Sequence, residues 1–585
     1  MSKSPAVPKN RMLLSAFDMS TVVHQNPGMW THPKDQTHRH TDLDYWIELA
    51  QLLERGGFDC LFLADVLGVY DVYGGSKDYA IKNAAQFPVC DPVMTISAMA
   101  AATKTLCFGS TCSLTYELPY AFARKMTTLD HLTKGRMAWN IVTSYQKSAA
   151  VNLGMNDQIP HDKRYDMADE FMEVCYKLWE YSWEDGAILR DVERGIYTDP
   201  KKIRDIGHKG KYFSVPGAHL ASPSPQRTPF LFQAGASARG RKFAARHAEA
   251  IFLIGTNPED MRPIVDLIRM EIAETGRDPR SVKILLMITT FVGKTEAEAQ
   301  EKLEAVKKHG SVEAALTLFG GWTGVDLSTA DLDAPLEQFQ GDGVRAFSDI
   351  LTRVDSELQW TPRKLAEWLC IGGMSAVASG TPSQVADEME RWMKVADVDG
   401  FNVARATAFE TMTDFVDLLV PELRRRGLVP KTPLPPMSLR ERFGGSAHLA
   451  DDHYGSQYRD SADGHTGGSA VTFEVKPRKL GLLALMKAKP ERAEEFRKWL
   501  TDCYDIAMSE TGTVTWYGFQ AGEFEFGIFD TFEHENGRQA HLHGGIVKAL
   551  RAIAPEMLAS PPDVRMVGVL ATKSSTAVGA HAIPA

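Results

Sequence analysis

The sequence predicts an α/β protein: a (β/α)8 TIM barrel with insertions, followed by a smaller C-terminal ferredoxin-like α+β domain. Three observations predict it. Short apolar runs alternate with amphipathic stretches from residue 11 to about 430, and eight such pairs can be counted. A Pro-rich and then Gly/Ser/Asp/His-rich stretch follows over 432–478. From Lys479 a shorter β-α-β-β-α-β pattern begins. Strand–helix alternation implies parallel strands joined by helical crossovers. Eight units suit a closed barrel, with a doubly wound sheet as the alternative. At 585 residues the chain is too long for one core, so two or more domains are expected.

The predicted strands are Met12–Phe17, Asp59–Leu63, Thr105–Ser110, Met137–Val142, Pro229–Gln233, Ala250–Ile254, Lys283–Phe291 and Gly400–Val403. Their apolar content suits strands buried on both faces. The helices that follow are Leu43–Arg55, Pro92–Thr103, Pro119–Leu132, Tyr165–Tyr181, Ala238–His247, Pro258–Thr275, Glu296–Lys308 and Pro382–Val395. Four of them open on proline, which is tolerated in a first helical turn. Two spacings exceed a simple crossover, Glu184–Thr228 and Gly310–Gly380, and long insertions of this kind form lids or walls. The barrel domain is expected over 1–431 and an arm and linker over 432–478. The α+β unit is expected over 479–573 and a disordered tail over 574–585. In that unit the strands are Leu482–Ala488, Thr513–Gln520, Glu523–Phe532 and Val564–Ala571. Its helices are Pro490–Glu510 and one long helix over about Glu535–Ala554, with His541 and His543 expected on its surface.

Composition restricts the function. The chain is 44% hydrophobic and 24% charged with a net charge of −10, and it has no long basic run, which argues against nucleic acid as the main partner. No apolar run reaches the length of a membrane helix, so no membrane is expected. Met1–Pro5 leads into no apolar leader core. The seven cysteines lack CxxC or Cys/His spacing and read as reduced thiols of a cytoplasmic protein. No metal motif, acyl-enzyme elbow or Rossmann fingerprint is present.

Five segments carry candidate chemistry. Phe62-Leu63-Ala64-Asp65 ends a buried strand in a carboxylate, which is either a site residue or an acceptor for loop amides. Small polar residues, among them Thr111, close the third strand, and Asn140 and Ser144 close the fourth. His161 and Tyr165 share one face of a helix start, either facing a site or simply facing solvent. Gln233-Ala234-Gly235-Ala236-Ser237-Ala238-Arg239-Gly240-Arg241 joins a strand to a helix start. It is a phosphate-loop candidate or a plain Ser cap with a helical Arg pair.

These segments, in this order, resemble the bacterial-luciferase-like superfamily, in its nitrilotriacetate monooxygenase component A group. The resemblance is carried by 62–73, 128–136 with 139–144, 161–171, 222–229 with 233–241, and Asp399-Gly400-Phe401-Asn402. Within the group the chain looks closest to the dimethyl-sulfide and long-chain alkane monooxygenases. Gly320-Gly321-Trp322-Thr323-Gly324 and Cys370-Ile371-Gly372-Gly373 favour the former. The resemblance implies FMN, bound as FMNH2 and supplied by a separate NAD(P)H:flavin reductase. It also implies O2 activation through a flavin C4a-(hydro)peroxide, a small organosulfur or other apolar substrate, and a homodimer or homotetramer. It places FMN contacts on Asp65, Thr111, His161, Tyr165 and Ser237, with Asn140, Ser144 and Gly235 beside them. His24, Tyr70, Gln86 and Tyr145 are the candidates for the reacting pocket. Thr21, Tyr145 and Leu318 stand where the alkane enzyme has a Cys and two His, which argues against alkane hydroxylation. The C-terminal unit resembles the antibiotic-biosynthesis-monooxygenase superfamily through Phe532-Glu533 and Arg538–Leu542, which implies a dimerisation module, a second oxygenation site or a reductase dock. Two other readings stay open: a deazaflavin-dependent hydride-transfer enzyme on the same barrel, and a non-catalytic flavin-binding protein.

Overall fold

Eight parallel strands close on themselves in the computed structural model, which describes residues 11–235, 237–336, 358–459, 480–510, 512–532, 535–542 and 544–568. The strands are β1 (Leu13–Met19), β2 (Cys60–Ala64), β3 (Cys107–Ser113), β4 (Met137–Val142), β5 (Phe230–Gln233), β6 (Ala250–Leu253), β7 (Lys283–Val292) and β8 (Gly400–Ala404). Each pairs in parallel with its sequence neighbours, and β8 pairs with β1 through Leu13 opposite Gly400, so no edge is left open. The barrel expectation therefore holds over the doubly wound alternative. Gly400 is required here: a Cβ on it would lie 2.1 Å from the Leu13 carbonyl oxygen.

The alternation of side chains sorts the strand residues into two cores. Phe62, Phe232 and Phe252 stack inside the barrel with centroids 4.4–4.7 Å apart along Phe62–Phe252–Phe232. The intervening residues, such as Leu61, Phe108 and Trp139, pack outward against the helices. Those helices are α1 (Leu43–Gly56), α2 (Val93–Ala102), α3 (Pro119–Leu132), α4 (His161–Tyr176), α5 (Ala238–His247), α6 (Pro258–Glu274) and α7 (Glu296–His309). α4 starts at His161, four residues before the predicted start, because Pro160 ends the preceding extended chain.

The first insertion holds two short antiparallel hairpins, Ile188–Asp191 with Ile196–Thr198 and His208–Lys209 with Ser214–Val215. The second contains α8 (Val312–Thr323), α9 (Pro362–Leu369) and a strand, Ala376–Gly380, that pairs with the last half of β7 before α10 (Pro382–Ala396) returns the chain to β8. Residues 337–357 of this insertion lie outside the described set.

Chain packing divides the molecule into units Met1–Thr466 and Gly467–Ala585. Residues 438–459, part of the expected arm, pack onto the barrel. Leu439 and Phe443 enter the interior cluster at the end where the strands start. Arg440 pairs with Glu249 at 2.5 Å, and Arg11 makes a two-pronged contact with Asp59 at 2.8 Å, all of them buried or nearly so. These buried pairs close the amino-terminal mouth and leave the carboxyl-terminal mouth as the open one.

The second unit has strands β9 (Leu480–Lys487), β10 (Thr513–Gln520), β11 (Glu525–Phe532) and β12 (Asp563–Gly568), ordered β12-β9-β11-β10 with antiparallel neighbours. That is the order of a split-βαβ, ferredoxin-like unit. Phe496 and Leu500 of α11 (Ala493–Ser509), with Ile546 and Leu550, pack on Ala484, Met486, Phe526 and Ile528. The single helix expected over 535–554 is two, α12 (Glu535–Leu542) and α13 (Gly545–Met557), divided at Gly544. His541 is buried and not on the surface. Its Nε2 meets Asp530 Oδ2 at 3.0 Å and its Nδ1 meets Glu510. Burial alone would lower its pKa, but the two carboxylates outweigh burial and raise it. Glu533, His543 and the expected tail 574–585 lie outside the described residues. Among the described residues no helix is long and apolar enough to cross a membrane.

Candidate active site

The carboxyl ends of the strands carry polar side chains where the barrel interior stops being phenylalanine. Thr111 of β3 and Asn140 of β4 are opposite each other in register and both point inward. The Asn140 amide donates to Thr111 Oγ1 at 2.9 Å, and its Oδ1 is buried with no partner. Asn402 of β8 has the same unpartnered Oδ1. A buried amide oxygen left without a donor costs free energy unless something supplies one. The mouth is thus built to receive a hydrogen-bonding group. Ser144, with φ of 52°, turns the chain after β4 so that its hydroxyl donates to Ser113 Oγ at 2.8 Å.

A cavity of about 390 Å³ adjoins this layer and is lined by Asp65, Gln86, Asp91, Thr111, Ser113 and Lys125 among others. Burial raises the Asp65 carboxyl to a pKa of about 7, and the nearby Asp91 adds to the rise. At neutral pH Asp65 is therefore shared between its charged and neutral forms, and it can either accept or donate a hydrogen bond.

The phosphate-loop candidate folds into a compact cradle. Ser237 is the N-cap of α5, its Oγ accepting from the Gly240 amide at 3.0 Å. His161, the first residue of α4, places Nε2 3.3 Å from the same oxygen. Its Nδ1 faces Asp162 at 2.8 Å. A carboxylate accepts only, so Nδ1–H is the donor in that contact. Tyr165, one turn on, is buried with its ring 5.2 Å from His161, and Arg239 lies over its face. The backbone comes close here because two residues lack a Cβ. One added to Gly240 would lie 2.7 Å from Tyr165 Oη, and one added to Gly235 would lie 3.0 Å from Gly240 Cα. Free amides at a helix start, a hydroxyl, an imidazole and a phenol together suit an anion, above all a phosphate monoester.

The reacting-pocket candidates also come together. Gln86 Nε2 donates to the His24 carbonyl at 3.1 Å, Tyr70 Oη donates to Gln86 Oε1 at 3.0 Å, and the Tyr70 and Tyr145 oxygens are 2.9 Å apart. His24 is buried, its ring edge-on to Phe17 at 4.4 Å, and its Nδ1 has no partner. Burial, reinforced by Arg405, holds its pKa well below the usual imidazole value, so the ring is neutral at pH 7. Val23, Leu318 and partly buried Trp322 pack around Tyr70, giving these polar groups an apolar wall. Thr21 is buried, its hydroxyl donating to the Pro88 carbonyl at 2.8 Å.

The structure thus gathers the twelve singled-out residues into three groups: Asp65, Thr111, Asn140 and Ser144 at the mouth; His161, Tyr165, Gly235 and Ser237 at the α4/α5 cradle; His24, Tyr70, Gln86 and Tyr145 at the apolar pocket. Asn402, Asp91, Lys125 and Trp322 were not singled out as site residues. Asn402 had a signal as the polar residue within the buried run Gly400–Ala404, and Trp322 lies in the Gly320–Gly324 motif. Among the described residues no group of three or more His, Cys, Asp or Glu is arranged to hold a metal ion.

Known proteins resemble the chain over most of the barrel unit. Residues 21–398 match the family described as luciferase-like monooxygenase. The chain is 48% identical over 471 residues to dimethyl-sulfide monooxygenase of Hyphomicrobium sulfonivorans, covering 80% of this chain and 97% of that protein. It is 49% identical over 449 residues to long-chain alkane monooxygenase of Geobacillus thermodenitrificans (strain NG80-2), covering 76% and 98%. A solved structure of riboflavin lyase with modified FMN and riboflavin superposes with a TM-score of 0.70 at 37% identity, covering 77% of this chain and 99% of that one.

Proposed function

The chain belongs to the luciferase-like monooxygenase family, and from that premise we propose that it is the oxygenating component of a two-component, FMNH2-dependent monooxygenase. The observation that carries this reading is the α4/α5 cradle, where Ser237, His161, Tyr165 and the first amides of α5 come together. Those residues would hold the FMN phosphate. The unpartnered Asn140 Oδ1, Thr111 and the titrating Asp65 would meet the polar edge of the flavin ring. The riboflavin-lyase likeness supports a flavin in this barrel.

Reduced flavin supplies the electrons that activate O2 for transfer of one oxygen atom. The protein's part is to bind, orient and exclude water. The barrel interior below the mouth is a stack of phenylalanines, and Leu318 of α8 in the second insertion packs with Tyr70. Neutral His24 and the Gln86–Tyr70–Tyr145 chain would fix the substrate against an apolar wall. No dinucleotide fingerprint is present in the sequence, so the reducing equivalents are assigned to a separate NAD(P)H:flavin reductase. A small organosulfur or other apolar molecule fits the pocket, with a dimethyl-sulfide-like compound as the first choice. The similarity to the Hyphomicrobium enzyme supports that choice.

The test is anaerobic titration with FMNH2 followed by rapid mixing with O2. The expected result is stoichiometric binding, then flavin reoxidation slower than that of free FMNH2 and hastened by a sulfide substrate. Failure to bind FMNH2, or tighter binding of a deazaflavin, overturns the assignment.

A further inference from the structure

The hydrogen bonds through Gln86, Tyr70 and Tyr145 have a fixed direction, and it determines what Tyr145 can offer a substrate. The chain is anchored at the His24 main-chain carbonyl, which can only accept. The Gln86 amide nitrogen must therefore face it, as the 3.1 Å contact shows, and Oε1 must face Tyr70. The Gln86 backbone is held as well, its N–H donating to the Val23 carbonyl at 3.1 Å, so the side chain cannot turn over without losing its anchor. An amide oxygen only accepts, so the single Tyr70 proton goes to Gln86. Tyr70 Oη has its proton committed to Gln86, so across the 2.9 Å contact it is Tyr145 that donates. The Tyr145 oxygen is left with lone pairs alone. Tyr145 is about half exposed, whereas Tyr70, Leu318 and Val23 behind it are buried.

We propose that Tyr145 is a specificity-determining residue that presents the apolar pocket with a hydrogen-bond acceptor and no donor. The site would then favour compact apolar molecules bearing an O–H, N–H or S–H group and reject those whose polar groups only accept, carboxylates above all. This rests on the pocket assignment made under the proposed function and narrows its substrate class. Among dimethyl-sulfide-like compounds, those that also carry a hydroxyl, amino or thiol group are preferred.

The probes are phenol, anisole, in which the same ring has lost its donor, and acetophenone, whose carbonyl only accepts. Each is titrated calorimetrically into the full-length protein, with FMN binding measured on the same samples. Phenol is expected to bind about two- to tenfold tighter than anisole, the range of one neutral hydrogen bond. Tyr145→Phe should bring that ratio to about one. Tyr70→Phe frees the Tyr145 proton and should raise acetophenone affinity relative to anisole. Equal binding of phenol and anisole, no phenol binding, or a ratio that survives Tyr145→Phe overturns the proposal. Loss of FMN binding with the phenol preference intact instead indicts the cofactor assignment.

Discussion

Replacing Ser237 by Asp separates the cap role of this residue from its place in an anion site. Ser237 caps α5 by accepting from the Gly240 amide, and Asp caps a helix as well as Ser does, so the fold should persist. What changes is charge. A phosphate seated against Ser237 Oγ and His161 Nε2 would have the new carboxylate about 4 Å away. The repulsion per pair of unit charges at that distance is about 1 kcal/mol in a water-like medium and about 4 kcal/mol at the effective dielectric of a protein surface. Ser237 is exposed, which favours the lower part of that range. The expected outcome is FMN affinity about ten- to a hundredfold weaker, at 1.4 kcal/mol per tenfold. Fluorescence titration of FMN measures it, with thermal melting as the check that the cap survives. Ser237→Ala is the control: it loses the cap and about 1 kcal/mol of stability, without the repulsion. An Asp variant that melts like wild type and binds FMN within twofold of wild type would refute the phosphate site.

Two further outcomes follow from buried charge. Asp65 has a folded pKa of about 7, above its ordinary value of 3.8, because burial and then Asp91 disfavour the carboxylate. The folded state therefore holds the extra proton, and this residue's contribution to stability falls as pH rises from about 4 to about 7. Asp65→Asn should gain stability relative to wild type across that window and show a constant difference above it; urea denaturation at several pH values reads this, and a difference independent of pH would show that Asp65 is not held near neutrality. Arg440→Ala strands the Glu249 carboxylate at the closed end of the barrel and should cost about 3–5 kcal/mol, seen by denaturant melting of the full chain, whereas a loss under 1 kcal/mol would mean the pair does not hold the 438–459 segment in place.

The sequence by itself determined the architecture of the barrel and most of its mouth. Eight strongly apolar runs separated by amphipathic helices admit few arrangements, because parallel strands buried on both faces have no use for polar residues except where they end. For that reason Thr111, Asn140 and Ser144 stood out as strand ends, and Ser237 as a cap before a helix. The second unit was legible in element order but not in detail. The break at Gly544 and the burial of His541 depend on Asp530 and Glu510 arriving from a strand and a helix end elsewhere in the chain, which no local pattern encodes. Only the tertiary structure joined His24, Tyr70, Gln86 and Tyr145 into one directed hydrogen-bond chain, since these residues come from three separate loops. Only it showed that residues 438–459 belong to the barrel, through Arg440, Leu439 and Phe443. The division has a physical cause. Periodicity and caps are short-range properties written in neighbouring residues, whereas the direction of a hydrogen bond and the neutrality of a buried imidazole are set by groups that meet only after the chain has closed on itself.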